Sequence, residues 1–451
     1  MHLKNKNIAI VGGGLVGSLL SIYLKRHGAN ITVFDKRSDI RNEKSSIGRS
    51  INLALSNRGI NALKSVGALD EVMKIGMPMF QRIMHSDSGE LTFQPYGKKS
   101  QAIFSVSRHT LNSRLMDIAE KASVKFYFNK ECLDIDSKNT TLFFKDTELK
   151  FDYIFGADGA GSIVRNKISQ QSKNINPSVE FISSDYKELC IPADINGSHK
   201  IDNKSLHIWP RKSYMVIALP NLDGTFTCTL FAPKIGHNSF ENLRDKKTVN
   251  KFFKDNFRDL FDLIPNLSDQ YFENPTSPLG FVRCKSWIEN NTILIGDACH
   301  ATVPFYGQGM NCGFEDCYLL DKWINSNPEM NHQKLSFFLN ERIMDTSAMQ
   351  ELSMNNYKEM RDKTADETFL LQKKIEEWFS EKHPKKWMPL YSMVTFSLKR
   401  YSKALELGNI QDKIMQSVMK DNDICGDFNF DELHNKDIEK KILAKIQNIN
   451  L

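Results

Sequence analysis

The chain has 451 residues, more than one hydrophobic core usually organises, so two or three packed units are expected. Hydrophobic residues make up 41% and charged residues 25% of the sequence, values that exclude a disordered or collagenous chain. Sixty Lys and Arg against 54 Asp and Glu give a net charge of +6, spread along the chain, which weakly favours anionic small molecules over nucleic acid.

Neither the cysteines nor the N-terminus indicates export. The eight cysteines contain no C-x-x-C pair, so neither a zinc ribbon nor a disulfide framework is expected, and a reducing cytoplasm fits best. Three glycines interrupt the apolar run after Lys6 and no small-residue cleavage site follows, which argues against a signal peptide. Because no stretch approaches the roughly 18 uncharged apolar residues of a membrane span, we expect a soluble, cytoplasmic protein.

Residues 7–35 predict a β-α-β unit. A β-branched run at 7–11 is followed by three glycines, an apolar helical pattern that ends near Gly28, and a second β-branched run at 31–34. The whole segment has the roughly 30 residues that this supersecondary motif needs.

The elements that follow are predicted from turn signals and periodicity. Two strand-like runs flank the turn-rich segment 87–90 and predict a β-hairpin, after which 108–121 predicts a helix. Further β-rich runs occur at 124–128, 141–145, 151–155, 178–232 and 292–295. After residue 315 the pattern is helical. The Lys- and Asp-rich end, including 437–446, predicts a solvated helix, with an amphipathic helix on a membrane or partner as the alternative.

The first glycines have the spacing of a phosphate-binding loop. In Gly12-x-Gly14-x-x-Gly17 the first glycine makes the tight turn, the second lets backbone approach a pyrophosphate, and the third lets helix pack on strand. The N-terminus of the next helix then faces the phosphates. Asp35 ends the second strand, where a carboxylate accepts both ribose hydroxyls and favours FAD or NAD over NADP. A glycine-rich packing turn is the alternative.

Two later stretches also place an acid at the end of a strand. Residues 152–165 form a strand that leads into a glycine-rich turn around Asp158, which alone would also fit a hairpin. Residues 292–311 combine a buried strand, Asp297, a loop rich in proline and glycine, and the start of a helix. Phosphate-bearing ligands favour the carboxyl ends of strands in open α/β sheets, so both stretches are candidate parts of a ligand site.

These three stretches, in this order, resemble the flavoprotein aromatic hydroxylases, whose FAD domain uses all three. The likeness narrows to the kynurenine 3-monooxygenases at several signatures and extends from about residue 7 to about residue 405. The signatures lie at 48–59, 95–97, 105–108, 304–317, 354–361 and 389–397.

The resemblance implies an activity and its cofactors. The chain would bind FAD, use NADPH as a transient co-substrate with O2, and hydroxylate L-kynurenine to 3-hydroxykynurenine through a C4a-hydroperoxyflavin, in tryptophan catabolism or NAD synthesis. Because the flavin carries the chemistry, no catalytic side chain and no metal are predicted. The alternatives are another flavin-dependent aromatic ring hydroxylase and, from a different class, a flavin-binding, redox-regulated interaction module.

Residues that bind the cofactor follow from the first motif and from the resemblance. Asp297 would hold the ribityl chain, the loop 307–311 would lie under the isoalloxazine, and Asp158 would serve flavin and nicotinamide together. The full set of expected contacts is Gly12, Gly14, Val16, Gly17, Phe34, Asp35, Arg37, Ala54, Arg108, Leu133, Asp158, Asp297, Gly309, Met310 and Asn311.

For the substrate, the resemblance implies Arg82 and Tyr96 as ligands of the amino-acid carboxylate, with Asn356 and Tyr391 lining the pocket. Arg82 and Tyr96 flank the predicted hairpin turn, and a three-residue loop or one bulge would put both on one face. An arginine and a phenol together suit a carboxylate. From the residues alone, Arg82 would also fit a solvated charge on an edge strand.

The expected fold is α/β: a Rossmann-like FAD-binding domain interleaved with a β-sheet substrate domain, followed by a C-terminal helical region. The FAD-binding domain is expected at 1–75, 101–175 and 276–325, the substrate domain at 76–100 and 176–275, and the helical region at 326–451. Eukaryotic members of the family carry a hydrophobic C-terminal membrane anchor. Since residues 405–451 contain no such span, we expect a soluble, bacterial-type member.

Two other features are expected to be structural. His300 lies close to Asp297, yet no partner for acid–base work is apparent in the sequence. The spacings of Cys299, Cys312 and Cys317 fit no metal-binding template.

Overall fold

The computed structural model describes residues 2–42, 52–97, 101–362, 367–420 and 432–447. The strands of this part of the chain are β1 (Asn7–Val11), β2 (Asn30–Phe34), β3 (Asn52–Leu55), β4 (Gly76–Met79), β5 (Gln81–His85), β6 (Leu91–Pro95), β7 (Ile103–Ser107), β8 (Lys125–Tyr127), β9 (Asp134–Asp136), β10 (Thr141–Phe143), β11 (Glu148–Lys150), β12 (Tyr153–Gly156), β13 (Ser178–Ile191), β14 (Ser205–Arg211), β15 (Tyr214–Pro220), β16 (Phe226–Pro233), β17 (Thr276–Arg283), β18 (Ile288–Glu289) and β19 (Thr292–Leu294).

The α-helices are α1 (Leu15–Arg26), α2 (Asn57–Ser65), α3 (Leu69–Met73), α4 (Arg108–Lys121), α5 (Ile163–Gln171), α6 (Lys246–Asn256), α7 (Arg258–Leu263), α8 (Leu267–Glu273), α9 (Asp297–His300), α10 (Gly309–Ser326), α11 (His332–Asp362), α12 (Glu367–Lys382), α13 (Leu390–Thr395), α14 (Tyr401–Met419) and α15 (Glu432–Gln447). Single 3-10 turns lie at Ile40–Asn42, Phe240–Asn242 and Pro304–Tyr306.

A six-stranded sheet in the order β18-β19-β12-β1-β2-β8 forms the centre of the first unit. Its neighbours run parallel, except that β18 pairs antiparallel with β19. β1 is apolar along its length because central parallel strands are buried on both faces, and Ile8 to Val11 are buried here. α1 follows β1 directly and packs against α4 and α10. The predicted Rossmann-like α/β unit is confirmed.

A seven-stranded sheet in the order β17-β13-β16-β15-β14-β5-β6 forms the second unit. Its pairs are antiparallel apart from β14 with β5. Helices α6, α7 and α8 bury a phenylalanine cluster that includes Phe253 and Phe257 in the core beside this sheet. β17 pairs with β13 in this sheet although it begins at Thr276. The bounds of the domains remain a prediction.

The last third of the described chain is helical, as expected. α12, α14 and α15 share a small core of isoleucine, methionine and aromatic side chains. The expectation of a solvated terminal helix was wrong: Ile438, Ile442 and Ile446 of α15 lie on one face, and that face is buried in this core. None of the described helices combines the length and apolar character needed to cross a membrane.

Candidate active site

The three motifs meet at one edge of the six-stranded sheet. β19, β12, β1 and β2 are consecutive parallel neighbours, so their carboxyl ends lie side by side. The turn after β1, Asp35 after β2, the turn after β12 and Asp297 after β19 are therefore brought together. This edge is where open α/β sheets bind ligands, and we call it the cofactor cleft.

Glycine contacts lock the motifs of the cofactor cleft against each other. Gly12 has a φ of 105°, and a Cβ there would lie 2.4 Å from the Ala157 carbonyl oxygen. A Cβ on Gly17 would lie 1.9 Å from the carbonyl oxygen of Gly12. By contrast, a Cβ on Gly14 would meet no described heavy atom within 4 Å. The first and third glycines are thus needed for packing, while the second faces open space.

The cleft offers backbone donors to an anion. No side chain caps the N-terminus of α1 at Gly14 or that of α10 at Gln308. Val16, in the first turn of α1, has its Cγ2 2.7 Å from the point that a Cβ on Gly313 of α10 would occupy, so the two helices approach each other near their N-termini. Two uncapped helix N-termini place amide donors and positive dipole ends together, which suits a pyrophosphate. The donor set therefore fits the FAD predicted from the sequence.

Asp35 is held as a carboxylate at the end of β2. Its Oδ2 accepts a hydrogen bond from the Gly13 amide (2.9 Å) and from Arg37 Nη2 (2.8 Å). Burial opposes the charge, but the hydrogen bonds from Arg37 and Gly13 outweigh it and hold the pKa of Asp35 below its ordinary value. An ionised acceptor at this point fits the ribose hydroxyls, and Arg37 lies directly beside it.

The two other acids of the cleft differ in their surroundings. Asp158 accepts hydrogen bonds from Ser162 Oγ (2.5 Å) and the Ile163 amide (2.7 Å), so it caps α5. Burial raises the pKa of Asp158 above its ordinary value despite these donors. Asp297 begins α9, and no described residue donates a hydrogen bond to its carboxylate. Asp297 is therefore the acid with the greater capacity to bind a ligand.

Two predicted cofactor contacts have their side chains turned into the protein. The Phe34 ring is buried and packs on Tyr127 and Phe144. The Asn311 amide is buried, accepts from the Ser56 amide (2.9 Å) and donates to the carbonyls of Ala54 and Gly307 (2.8 Å each). Only the backbones of Phe34 and Asn311 remain for a cofactor.

The remaining predicted contacts come from several segments. Ala54 lies 3.3 Å from the point that a Cβ on Gly307 would occupy. Gly309 and Met310 form the first turn of α10, and Met310 packs on the main core. Arg108 is exposed at the start of α4, and Leu133 is 47% exposed. Residues 48–51 of the family signature lie outside the described residues.

Arg82 and Tyr96 lie on one face of the β5–β6 hairpin, as predicted. Ser86 and Glu90 close a three-residue loop, in which the Ser86 amide donates to the Glu90 carbonyl at 2.9 Å. Arg82 therefore pairs with Gln94 across the hairpin, and Tyr96 is its diagonal neighbour two residues further on. The Arg82 guanidinium carbon lies 5.4 Å from the centre of the Tyr96 ring.

Aromatic side chains from distant segments close around Arg82. Tyr391 of α13 stacks on Tyr96 at 5.4 Å between ring centres, and on Tyr306 at 5.7 Å. The Arg82 guanidinium carbon lies 4.5 Å from the centre of the Tyr391 ring. Phe396 meets Tyr96 and Tyr391 edge-on. We call Arg82 and these four rings the aromatic pocket. Within the described residues, Arg82 forms no ion pair with an acidic side chain.

The charges of the aromatic pocket suit an anion. Burial opposes the charge on Arg82, yet Tyr391 and Tyr96 outweigh it and raise the pKa of the guanidinium above its ordinary value. Burial likewise raises the pKa values of Tyr96 and Tyr306 well above the ordinary value, so both phenols stay neutral donors. The buried Tyr96 hydroxyl lies near Arg82 and Tyr391 but makes no hydrogen bond of ordinary geometry to a described residue. The cationic Arg82 and the hydroxyl donor of Tyr96 together are suited to bind a carboxylate.

The two sites adjoin. Ala54, beside Gly307 of the cofactor cleft, packs in the same cluster as Tyr96, Tyr391 and Phe396. Asn356, predicted to line the pocket, donates from Nδ2 to the Phe305 carbonyl at 2.6 Å and so supports the loop between the sites.

Neither Tyr306 nor Phe396 is in the set of substrate-binding residues predicted from the sequence. Both lie inside signatures of the family resemblance. For Tyr306, the available signal was an aromatic residue in a loop rich in glycine. Their positions in the pocket depend on stacking against Tyr391, which is distant in sequence from Tyr306.

A buried network of charged side chains joins α9 to α10 and α11. His300 Nε2 and Asp316 Oδ2 are 2.5 Å apart, and Arg342 donates to Asp316 Oδ1 at 2.8 Å. His300, Cys312 and Asp316 bring three potential metal ligands within 4.8 Å of one another. Arg342 also donates to Cys312 Sγ at 3.8 Å, so a guanidinium neutralises the acid of this cluster. His300 therefore has the partner that the sequence did not reveal.

Comparison with known proteins agrees with this geometry. A family model described as an FAD binding domain matches residues 5–326. Kynurenine 3-monooxygenase of Flavobacterium johnsoniae is 49% identical over 439 residues, covering 96% of this chain and 98% of the relative. Kynurenine 3-monooxygenase of Dictyostelium discoideum is 40% identical over 450 residues, covering 96% of each chain.

Solved structures share the fold at low sequence identity. A 2-methyl-3-hydroxypyridine-5-carboxylic acid oxygenase matches with a TM-score of 0.64 at 18% identity, over 80% of this chain and 94% of the other. PqsL of Pseudomonas aeruginosa matches with a TM-score of 0.64 at 17% identity, over 80% and 97%. The shared fold, the matched FAD-binding domain and the 49% identity over nearly the whole chain agree. The chain is an FAD-dependent monooxygenase that belongs to the kynurenine 3-monooxygenase family.

Proposed function

We propose that this protein hydroxylates L-kynurenine at ring carbon 3, giving 3-hydroxykynurenine, with FAD as bound cofactor and NADPH and O2 as co-substrates. Arg82 is the observation that supports the substrate class. It is a cation beside the cofactor cleft, within 5.4 Å of two tyrosine ring centres and without an acidic partner among the described residues. Kynurenine combines an α-carboxylate with an aromatic ring, the two groups that such a pocket accommodates.

Each pocket residue has a role in this proposal. Arg82 pairs with the substrate carboxylate, and the neutral Tyr96 hydroxyl donates a further hydrogen bond to it. Tyr391 and Tyr306 supply stacked rings against which the aniline ring packs. Asn356 supports the loop that carries Tyr306 through its bond to the Phe305 carbonyl.

The cofactor would be held by the cleft, through the first-turn amides of α1 and α10, Asp35 and Asp297. The bound FAD would supply the redox chemistry of the reaction, namely hydride acceptance from NADPH and the activation of O2 for transfer of one oxygen atom to the ring. The side chains position the ring beside the cofactor and exclude water from it. We assign no base to the protein, and NADPH is proposed as a visiting co-substrate rather than a resident.

We place this reaction in the cytoplasm. The seven cysteines among the described residues are free thiols, six of them buried. Free thiols persist in a reducing compartment. NADPH is also supplied there as a diffusible co-substrate, in keeping with a visiting role.

The first experiment measures substrate-dependent turnover. The purified protein is examined for its visible flavin spectrum, and NADPH oxidation is followed with and without L-kynurenine while the product is identified by mass. We expect a yellow protein, stimulation by kynurenine, and a product heavier by one oxygen atom. Kynuramine, which keeps the ring and lacks the carboxylate, is the matched control and is expected to bind far more weakly.

The other outcomes separate the rival functions. Stimulation without an oxygenated product would mark kynurenine as an effector and contradict the proposal in favour of another ring acid. A flavin spectrum with no stimulation by any aromatic acid would contradict it in favour of a flavin-binding interaction module.

A further inference from the structure

The segment 390–402 carries two residues of the aromatic pocket. α13 begins at Leu390 and holds Tyr391, and Phe396 follows its last turn. A six-residue helix leaves its final carbonyl groups without intrahelical partners, so they need donors from elsewhere. The identity of these donors determines how Tyr391 and Phe396 are held.

Two side chains at the start of α2 donate to carbonyl groups in the last turn of α13 and just beyond it. Asn57 Nδ2 donates to the Phe396 carbonyl at 2.8 Å. Arg58 Nε donates to the Val394 carbonyl at 3.2 Å, and Arg58 Nη2 donates to the Lys399 carbonyl. The Arg58 side chain is 0% exposed. A buried cation at the C-terminal end of α13 also complements the helix dipole.

Arg58 links this segment to the start of α10. Its Nη1 pairs with Glu315 of α10, and its guanidinium carbon lies 3.8 Å above the ring of Tyr401. The Tyr401 hydroxyl donates to Gln308 Oε1 at 2.9 Å, and Gln308 directly precedes the first turn of α10. Arg58 thus bonds directly to the segment 390–402 and to α10, and it is linked to the loop before α10 through Tyr401.

The contacts form a closed ring. Tyr306, two residues before Gln308, stacks on Tyr391 at the pocket end. Arg58 and Tyr401 join Gln308 to the same segment at the other end. Apolar side chains stabilise a core without fixing its register as hydrogen bonds do, and a buried ion pair by itself adds little stability. The three hydrogen bonds that Asn57 and Arg58 donate to carbonyl groups therefore mainly fix the position of the segment 390–402.

We propose that Arg58 is a positioning residue for hydroxylation, which sets Tyr391 and Phe396 against the cofactor loop, with Asn57 and Tyr401 as its partners. The proposal rests on the proposed function. It places Arg58 outside direct contact with substrate or flavin. Loss of these contacts would let the aromatic ring of the substrate bind in a less favourable position relative to the cofactor. NADPH would then be oxidised without transfer of oxygen to the substrate.

The test compares Arg58→Lys and Tyr401→Phe with the matched control Arg342→Lys. Arg342 is also buried and shares the partner Glu315; it donates to no carbonyl of 390–399 among the described residues, and its link to that end of the segment runs through Asp345, which bonds to Arg400 and Ser402. For the FAD-loaded enzymes we measure FAD content, the kynurenine KM, the product formed per NADPH oxidised, and Tm. We expect Arg58→Lys to raise KM roughly ten-fold and to lower the product ratio at unchanged FAD content.

Tyr401→Phe is the mild variant, because it removes one hydroxyl and keeps the ring under Arg58. We expect a roughly three-fold rise in KM and a smaller fall in the product ratio. Arg342→Lys is expected to lower Tm while KM and product ratio stay at the wild-type values. If Arg58→Lys does not fold, Tyr401→Phe decides the proposal alone.

The proposal is overturned if both variants change only Tm, or if Arg342→Lys changes KM and product ratio as much as they do. Hydroxylation of kynurenine by the wild-type enzyme is measured in the same series. A wild-type enzyme inactive on kynurenine would refute the proposed function itself, which distinguishes that failure from the failure of the Arg58 proposal.

Discussion

The cofactor cleft and the aromatic pocket adjoin but are built in different ways. The cleft consists of backbone: glycine contacts bring turns within van der Waals distance, and helix N-termini supply the donors. The pocket consists of side chains, with four rings from three segments gathered around one guanidinium. Where backbone groups are in close contact, as in the cleft, there is no room for an added side-chain atom. In the pocket, a change in side-chain shape should be tolerated better than the loss of the Arg82 charge. Substitutions should therefore affect the two sites differently.

The largest effect is expected in the cleft. Gly17→Ala would place a Cβ 1.9 Å from the Gly12 carbonyl oxygen, so the β1–α1 turn cannot close. We expect a loss of more than about 4 kcal/mol of stability, seen as little folded protein in thermal unfolding monitored by circular dichroism.

Gly14→Ala is the matched variant, since its Cβ would meet no protein atom within 4 Å. It should fold with a normal far-UV spectrum and lose FAD, because the methyl group points into the space proposed for the pyrophosphate. Equal behaviour of the two variants would contradict the separate roles assigned to the glycines.

The next effect is expected in the pocket. Arg82→Ala removes the cation from the carboxylate and should weaken kynurenine binding roughly 100-fold, about 2.7 kcal/mol, while FAD stays bound. Arg82→Lys keeps the charge without the bidentate geometry and should lose roughly ten-fold. Titration of the flavin absorbance with kynurenine measures both. Unchanged affinity in Arg82→Ala would refute the role of Arg82.

A third effect concerns pH and the strand that carries Arg82. His85, three residues along β5, bonds through Nε2 to His207 Nδ1 at 2.9 Å, and His207 Nε2 donates to the Asp202 carbonyl at 2.7 Å. Burial lowers the pKa of His207 to about 4 from an ordinary value of 6.5. The unfolded chain then binds a proton that the native state does not, so stability falls as pH falls below 6.5.

Between pH 7.5 and 5 this loss amounts to about 2 kcal/mol from His207. His207→Gln keeps a donor for the Asp202 carbonyl and removes the titrating ring, so its stability should depend less on pH over this range. Urea unfolding at both pH values measures the difference. Parallel pH dependence in variant and wild type would show that His207 does not titrate as argued.

The smallest effect is expected far from both sites. Ile442 of α15 is 0% exposed within the C-terminal helical core. Ile442→Val removes one methylene group and should cost about 1 kcal/mol, with kcat and kynurenine KM unchanged. Thermal unfolding and steady-state kinetics test this. A kinetic change would contradict the separation of this core from the pocket.

The cofactor cleft was predictable because each of its parts is local. Gly12, Gly14 and Gly17 lie within six residues, and strand ends can be read from short β-branched runs. The register of the hairpin was also within reach, since loop length alone puts Arg82 and Tyr96 on one face.

The pocket and its supports were less predictable because they depend on contacts between distant residues. Arg58 and the Lys399 carbonyl are 341 positions apart, and no periodicity around Arg58 reveals that partner. α15 was misjudged for a related reason: its isoleucine spacing was visible, but the apolar surface that covers it comes from α12 and α14. Local patterns indicate that a face is apolar and leave its partner unspecified.

The strand order has a consequence for biosynthesis. β1 and β12 are neighbours in the sheet, and β12 is completed by β19, which begins only at Thr292. The start of α10, beyond Gly309, closes the same edge. A ribosome must therefore release roughly two thirds of the polypeptide before the cleft exists, and such distant pairings form slowly. FAD can therefore bind only after the chain has been synthesised to beyond Gly309 and β19 has joined the sheet.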